Sequence, residues 1–191
     1  HIAFDEKLCA ARWTLHRLTR ISITARLVER RPAFEVDSSL PPPLQVASTL
    51  YDGLPWDRGH LVPSDDINYS AASCKQTFLM SNVLPQDPKL NRNAWKSLES
   101  HIRQWAEILG DLYVVTGASF GKRSRRLNQT VAIPKGFYKV IYSERVHRAI
   151  AIYCPNKPLD AHYLWRDENL FSISALEAKL NESDDLPYRF F

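Results

Sequence analysis

Apolar positions recur with two different periods along this 191-residue chain, and the switch between them predicts a mixed fold of strands and helices. From Arg12 to Glu29 apolar and polar side chains alternate, as in Thr19, Ile21, Ile23 and Leu27, which predicts one or two early strands. Leu112 to Thr116 reads as a buried strand that stops at Gly117. Phe137 to Tyr142 and His147 to Tyr153 are β-rich runs, and Ser143, Glu144 and Arg145 between them predict a hairpin. After Pro88 the period changes. Leu90, Ala94, Trp95, Leu98, Ile102, Trp105, Ala106 and Leu109 return every three or four residues until Gly110, the signature of a helix with one broad apolar face. Asn91 and Glu99 are its polar exceptions, four residues either side of Trp95, and are expected along one stripe. Ser174 and Glu177 form a capping box ahead of Leu176 and Leu180, predicting a short helix near the C-terminus. No repeat is present, and Pro41, Pro42 and Pro43 mark an extended connection within one expected domain over residues 1–191.

Composition narrows the class without naming a function. With 45% hydrophobic and 24% charged residues the chain is ordinary globular protein, which excludes disorder, collagen-like repeats and coiled coil. A chain of this length buries roughly 70% of the surface its unfolded form exposes, so the core needs neither disulfides nor structural metals. Cys9, Cys74 and Cys154 form no CxxC pair, which removes zinc-knuckle and thioredoxin-like readings and leaves one disulfide open. No stretch approaches the ~18 to 20 uninterrupted apolar residues of a membrane span, so no membrane partner is expected. The expected setting is secreted, periplasmic or organellar rather than free cytosol. Net charge is only +4, but residues 111–150 carry 8 basic and 2 acidic groups. Their densest part, Lys122, Arg123, Arg125 and Arg126, reads either as a solvated turn or as a substrate-binding surface that attracts phosphate.

The chemistry lies upstream of the long helix. In Asp57-Arg58-Gly59-His60 an extended backbone places Arg58 and His60 on the same side, a permanent cation beside an imidazole that titrates near neutral pH. Taken alone, a turn histidine paired with a neighbouring carboxylate is an equal reading. Taken with Phe78 to Gln86 and Leu90 to Glu99, the segment resembles the successive motifs of the DNA/RNA non-specific endonucleases, in their order and spacing. Val114 to Gly117 and Ile133 to Ile141 resemble later family segments, so the resemblance covers at least residues 56–141. Trp13 and the closing Phe190 and Phe191 fit more loosely.

That resemblance implies an α+β fold with a central antiparallel β-sheet flanked by helices and a ββα-metal, or His-Me finger, site. It implies one Mg²⁺ ion per site, with Mn²⁺ as a substitute, and hydrolysis of phosphodiester bonds in DNA and RNA. His60 would be the general base, a task suited to an unperturbed pKa of about 6.5. Asn91 would hold the metal directly, because magnesium keeps several waters and needs few protein groups. Glu99, about 12 Å further along an ideal helix, would reach the ion through a bound water. Arg58 would hold the scissile phosphate, and Asn82 would position the site. Arg92 stands where small or polar residues are usual in the family and adds a cation toward the substrate backbone. DNA and RNA are the expected partners, with a homodimer and a protein inhibitor left open. Two alternatives stand beside this reading. One is a nuclease toxin of the same fold with a cognate inhibitor, and the other is a catalytically silent nucleic-acid-binding module.

Overall fold

A computed structural model describes residues 1–25, 27–183 and 188, so Phe190 and Phe191 lie outside the described residues. The chain opens with strands β1 (Ile2–Asp5) and β2 (Ala10–Leu18) and a one-turn helix α1 (Arg20–Thr24). A long irregular connection leads to β3 (Asp57–His60), helix α2 (Ala71–Thr77) and β4 (Val83–Gln86). A π-helical turn over Leu90–Trp95 then runs directly into α3 (Lys96–Leu109). The second half contributes β5 (Leu112–Ser119), the small pair β6 (Arg126–Leu127) and β7 (Val131–Ala132), β8 (Gly136–Ser143), β9 (Arg148–Pro155), β10 (Leu170–Phe171) and α4 (Ile173–Ser183).

Six strands form an antiparallel sheet in the order β1-β2-β5-β8-β9-β10, which is the expected α+β architecture with a central antiparallel sheet. Alternation along β8 explains its layers. Phe137 and Ile141 join a core that includes Trp95, Leu98 and Ile102, whereas Tyr138 and Val140 join Leu176 and Leu180 of α4. The sheet is therefore covered on both faces, and each fully buried aliphatic side chain contributes about 1.5–3 kcal/mol to holding a layer. The hairpin of β8 and β9 is as predicted, closing through Ser143 opposite Arg148.

Three local expectations are corrected. Thr19 caps α1 instead of continuing a strand: its hydroxyl accepts from Ser22 N at 3.1 Å while Ser22 Oγ accepts from Thr19 N at 2.9 Å. Ile23 is consequently buried while Ile21 is 73% exposed, a split that a strand face would not allow. Gly117 does not end β5 but lies within it opposite Tyr138, and a Cβ there would stand 2.3 Å from that ring. The missing side chain is what lets the aromatic pack across the ladder. The C-terminal helix begins two residues earlier than expected, because the Ser172 hydroxyl caps it, accepting the Ala175 amide at 3.2 Å. The disulfide left open is absent, since Cys9, Cys74 and Cys154 are all buried and free. No helix among the described residues is long and apolar enough to cross a membrane.

Candidate active site

Strands β3 and β4 form a separate antiparallel ribbon, with Asp57 opposite Gln86 and His60 opposite Val83, and the π turn and α3 follow it. Gly59 makes the ribbon's contact with Gln86 fit, because a Cβ there would lie 2.4 Å from Gln86 Oε1. The turn into the helix is pinned from both sides. Asp87 Oδ1 accepts the Lys89 and Leu90 amides at 2.9 and 3.0 Å, and Asn156 accepts the Asp87 amide while donating to the Pro85 and Pro134 carbonyls. Two strands and a helix thereby present their polar residues to one pocket of about 350 Å³.

His60, Asn91, Glu99 and Arg58 all line that pocket, as does Arg92. Asn91 and Glu99 face that pocket together, as their spacing predicts, with Lys96 and Arg103 beside Glu99, while Trp95 between them is packed in the core at 1% exposure. Arg31 completes the lining, so five basic side chains face Asp65 and Glu99. That balance suits a polyanion. Arg31, Lys96 and Arg103 were not singled out from the sequence. The signal for two of them was there, three residues before and four after Glu99 on the same helix, whereas Arg31 comes from a distant segment.

His60 is set by aromatic packing. Its ring lies 5.2 Å from Phe34 and 5.0 Å from Phe78, the latter edge-to-face. Phe34 reaches it because Glu35 donates to the Phe78 carbonyl at 3.0 Å and accepts from the Met80 amide at 2.9 Å. Nε2 is buried without a partner, which leaves Nδ1 as the nitrogen open to the pocket. Burial first, and then the Arg31 cation, lower the imidazole to about 4, with Asp65 opposing. The ordinary histidine value expected from the sequence is therefore corrected downward. His60 is held in its neutral form at pH 7.

Asn82 does not line the pocket. It is buried, its Oδ1 accepts the Val62 amide at 3.0 Å, and its Nδ2 donates to the Val62 and Thr77 carbonyls at 3.0 and 2.9 Å. It thus pins the chain just past His60. Arg58 donates to the Ser48 carbonyl at 2.7 Å, pairs with Asp52, and lies 5.8 Å from the Phe34 ring. Lys122, Arg123, Arg125 and Arg126 do not line the pocket. All four are exposed, and Arg126 donates to the backbone carbonyls of Thr130 and Lys7.

Under the helix lies a charge cluster that the sequence reading missed. Asp66 accepts from Arg103 Nη1 at 2.9 Å and bonds His16 Nε2 at 3.0 Å, and Lys139, fully buried on β8, donates to Thr116 Oγ1 at 2.7 Å and lies 5.0 Å from the Trp95 ring. Burial pushes Asp66 up, but His16, Lys139 and Arg103 hold it below the ordinary carboxylate range. Glu99 is raised to about 7, by burial first, with Lys139 pulling it down and Asp66 pushing it up. Asp66→Ala strands Arg103 and His16 and is expected to lower the unfolding free energy by about 3–5 kcal/mol in urea titrations at pH 7. A loss below about 1 kcal/mol would mean that water already screens the cluster.

The donor set can be tested against a divalent ion. Asp57 and Asn91 meet at 2.9 Å through Asn91 Nδ2, which leaves the side-chain Oδ1 of Asn91 without a partner. Among the described residues no group of three His, Cys, Asp or Glu is placed to hold a metal, so a thiolate- or imidazole-rich transition-metal site does not fit. One amide oxygen with a nearby carboxylate does fit a hard cation that keeps most of its waters.

The sequence profile described as DNA/RNA non-specific endonuclease matches residues 1–187. A protein named Nuclease from Nostoc sp. is 33% identical over 162 residues, covering 78% of this chain and 58% of that protein. Human mitochondrial endonuclease G is 29% identical over 173 residues, covering 83% and 58%, and human mitochondrial nuclease EXOG is 27% identical over 155 residues, covering 75% and 42%. The chain thus spans about half the length of the curated relatives it matches. Its fold superposes on EndoG from the crystal structure of the EndoG/EndoGI complex with a TM-score of 0.83 and 25% identity, covering 94% of this chain and 80% of that one.

Proposed function

The chain belongs to the DNA/RNA non-specific endonuclease family, and from that premise we propose that it is a Mg²⁺-dependent endonuclease that cuts phosphodiester bonds in both DNA and RNA with little base specificity. The observation that carries the reading is the meeting, in one basic pocket, of a neutral imidazole, an amide with a free oxygen and a carboxylate: His60, Asn91 and Glu99. A catalytically silent binding module would have no need to hold these three together.

In the proposed reaction His60 Nδ1 takes the proton of the attacking water, and Nε2 keeps its own proton among the rings of Phe34 and Phe78. Asn91 Oδ1 would hold the Mg²⁺ ion and Glu99 would orient a water bound to it. The ion, when bound, supplies Lewis-acid stabilisation of charge growing on the phosphate and the departing 3′ oxygen. Arg58, held by Ser48 and Asp52, keeps its remaining N–H groups for the scissile phosphate. Arg31, Lys96 and Arg103 extend that grip along the backbone, which every sequence shares, so base identity goes unread. A protein inhibitor is retained as a second class of partner, because the solved EndoG was captured with EndoGI.

The test is cleavage of plasmid DNA and structured RNA at rising salt. Four phosphate contacts, by Arg31, Arg58, Lys96 and Arg103, predict a fall in kcat/KM of about a hundredfold between about 50 and about 200 mM salt. Cleavage of both substrates with a steep fall supports the reading; cleavage that ignores salt removes the backbone-contact account.

A further inference from the structure

One carboxylate in the site takes three hydrogen bonds, and two of them come from the cation that the sequence assigned to substrate. Asp57 Oδ2 accepts from Asn91 Nδ2 at 2.9 Å and from Arg92 Nε at 2.8 Å, while Oδ1 accepts from Arg92 Nη2 at 2.6 Å. Asp57 is itself fixed by the β3–β4 ladder opposite Gln86, and its side chain is only 15% exposed against 70% for Arg92. An ionised carboxylate only accepts, so the part of the Asn91 amide turned toward Asp57 is the NH₂ group and the carbonyl oxygen is turned away from it. The planar guanidinium holds both carboxylate oxygens at once, which fixes the plane of the carboxylate as a point charge would not.

We propose that Arg92 and Asp57 form a positioning clamp on Asn91, so that Arg92 sets the affinity of the site for its divalent ion instead of gripping a substrate phosphate. The clamp rests on the reading of Asn91 as the metal-holding residue. Its logic is that of outer groups around a ligand elsewhere: an amide free to rotate about its terminal bond presents its oxygen only part of the time, and a hydrogen bond to its nitrogen end removes that freedom. The usual small or polar residue at position 92 offers no such fork to the aspartate. In this chain the extra cation is drawn to Asp57, and its effect passes through one carboxylate to one amide.

Mn²⁺ binding by the whole chain without nucleic acid, followed by calorimetry or by the paramagnetic resonance signal of free Mn²⁺, reads the clamp apart from catalysis. Asp57→Ala is expected to weaken Mn²⁺ binding about 10- to 100-fold, and Arg92→Gln by several-fold up to about tenfold. Asp57→Asn keeps an acceptor for Asn91 Nδ2 but loses the arginine fork, so it should match Arg92→Gln. The Mn²⁺ concentration for half-maximal cleavage should rise in step in each variant. Arg92 is exposed, so its variant folds even if one at Asp57 does not. Wild-type Mn²⁺ affinity in Arg92→Gln, with any defect confined to the KM for an oligonucleotide, overturns the clamp and returns Arg92 to the substrate. Asn91→Ala separates the two levels. If it loses Mn²⁺ binding while Arg92→Gln keeps it, the clamp alone fails; if it binds Mn²⁺ as the wild type does, the metal assignment beneath the clamp fails as well.

Discussion

His60→Ala is expected to lower kcat on both DNA and RNA by about 10²- to 10⁴-fold while the protein remains folded, because it removes the one pocket nitrogen able to take a proton at neutral pH. Circular dichroism and the melting temperature check the fold. The imidazole leaves a gap between Phe34 and Phe78, so added imidazole should restore part of the lost rate. The pH profile adds a sharper requirement. The base is active when unprotonated, and with its pKa lowered to about 4 that form persists well below the midpoint of an ordinary histidine. The acid limb of kcat/KM assigned to His60 should therefore lie nearer pH 4 than pH 6.5, and loosening the ring contact with Phe34→Ala should move it upward. A His60→Ala enzyme that cuts within a few-fold of wild type would end the general-base assignment.

Removal of the divalent ion with EDTA is expected to abolish cleavage of both substrates. Lewis-acid stabilisation of the developing charge is worth several kcal/mol, and each 1.4 kcal/mol is about tenfold, so the loss should reach about a thousandfold or more. Mg²⁺ should restore the rate. Because binding is coupled to folding, Mg²⁺ at about ten times its Kd should also stabilise the folded chain by about 1.4 kcal/mol. Asn91→Ala should lose both effects together, since it removes the side-chain oxygen that the contact with Asp57 leaves free. Cleavage that persists in EDTA would remove the metal from the account. Persistence of the Mg²⁺ stabilisation in Asn91→Ala would move the ion to other residues.

Where local signals and tertiary structure agreed, the reading from sequence held. The helix after Pro88 and the β8–β9 hairpin follow from periods of 3.6 and 2 that survive in the fold. The early alternation held through Leu18 in β2 and failed past it, because a Thr19–Ser22 capping box outweighs a period of two over so few residues. Gly117 misled because a strand glycine answers a neighbour, Tyr138, that only the ladder brings opposite it. The pocket shows the same division. His60, Arg58, Asn91 and Glu99 were legible because each sits in a short motif with its own chemistry. Asn82 was legible as a residue but not as a buried clamp on Val62, and the loop around Lys122 drew attention by charge density alone.

By itself the sequence determined the family, the α+β class, and the candidate residues His60, Arg58, Asn91 and Glu99 that line one pocket, because these depend on residue type and on spacing within one segment. Tertiary structure alone decided three things. Phe34 and Phe78 reach His60 from separate segments and lower its proton affinity. Asp66, His16, Arg103 and Lys139 gather from four elements into a buried cluster behind Glu99. Arg92 is drawn to Asp57, thirty-five positions earlier in the chain, instead of to open solvent. All three are effects of burial and of charges meeting across the fold, and a side chain's desolvation and partners exist only once distant segments are packed together.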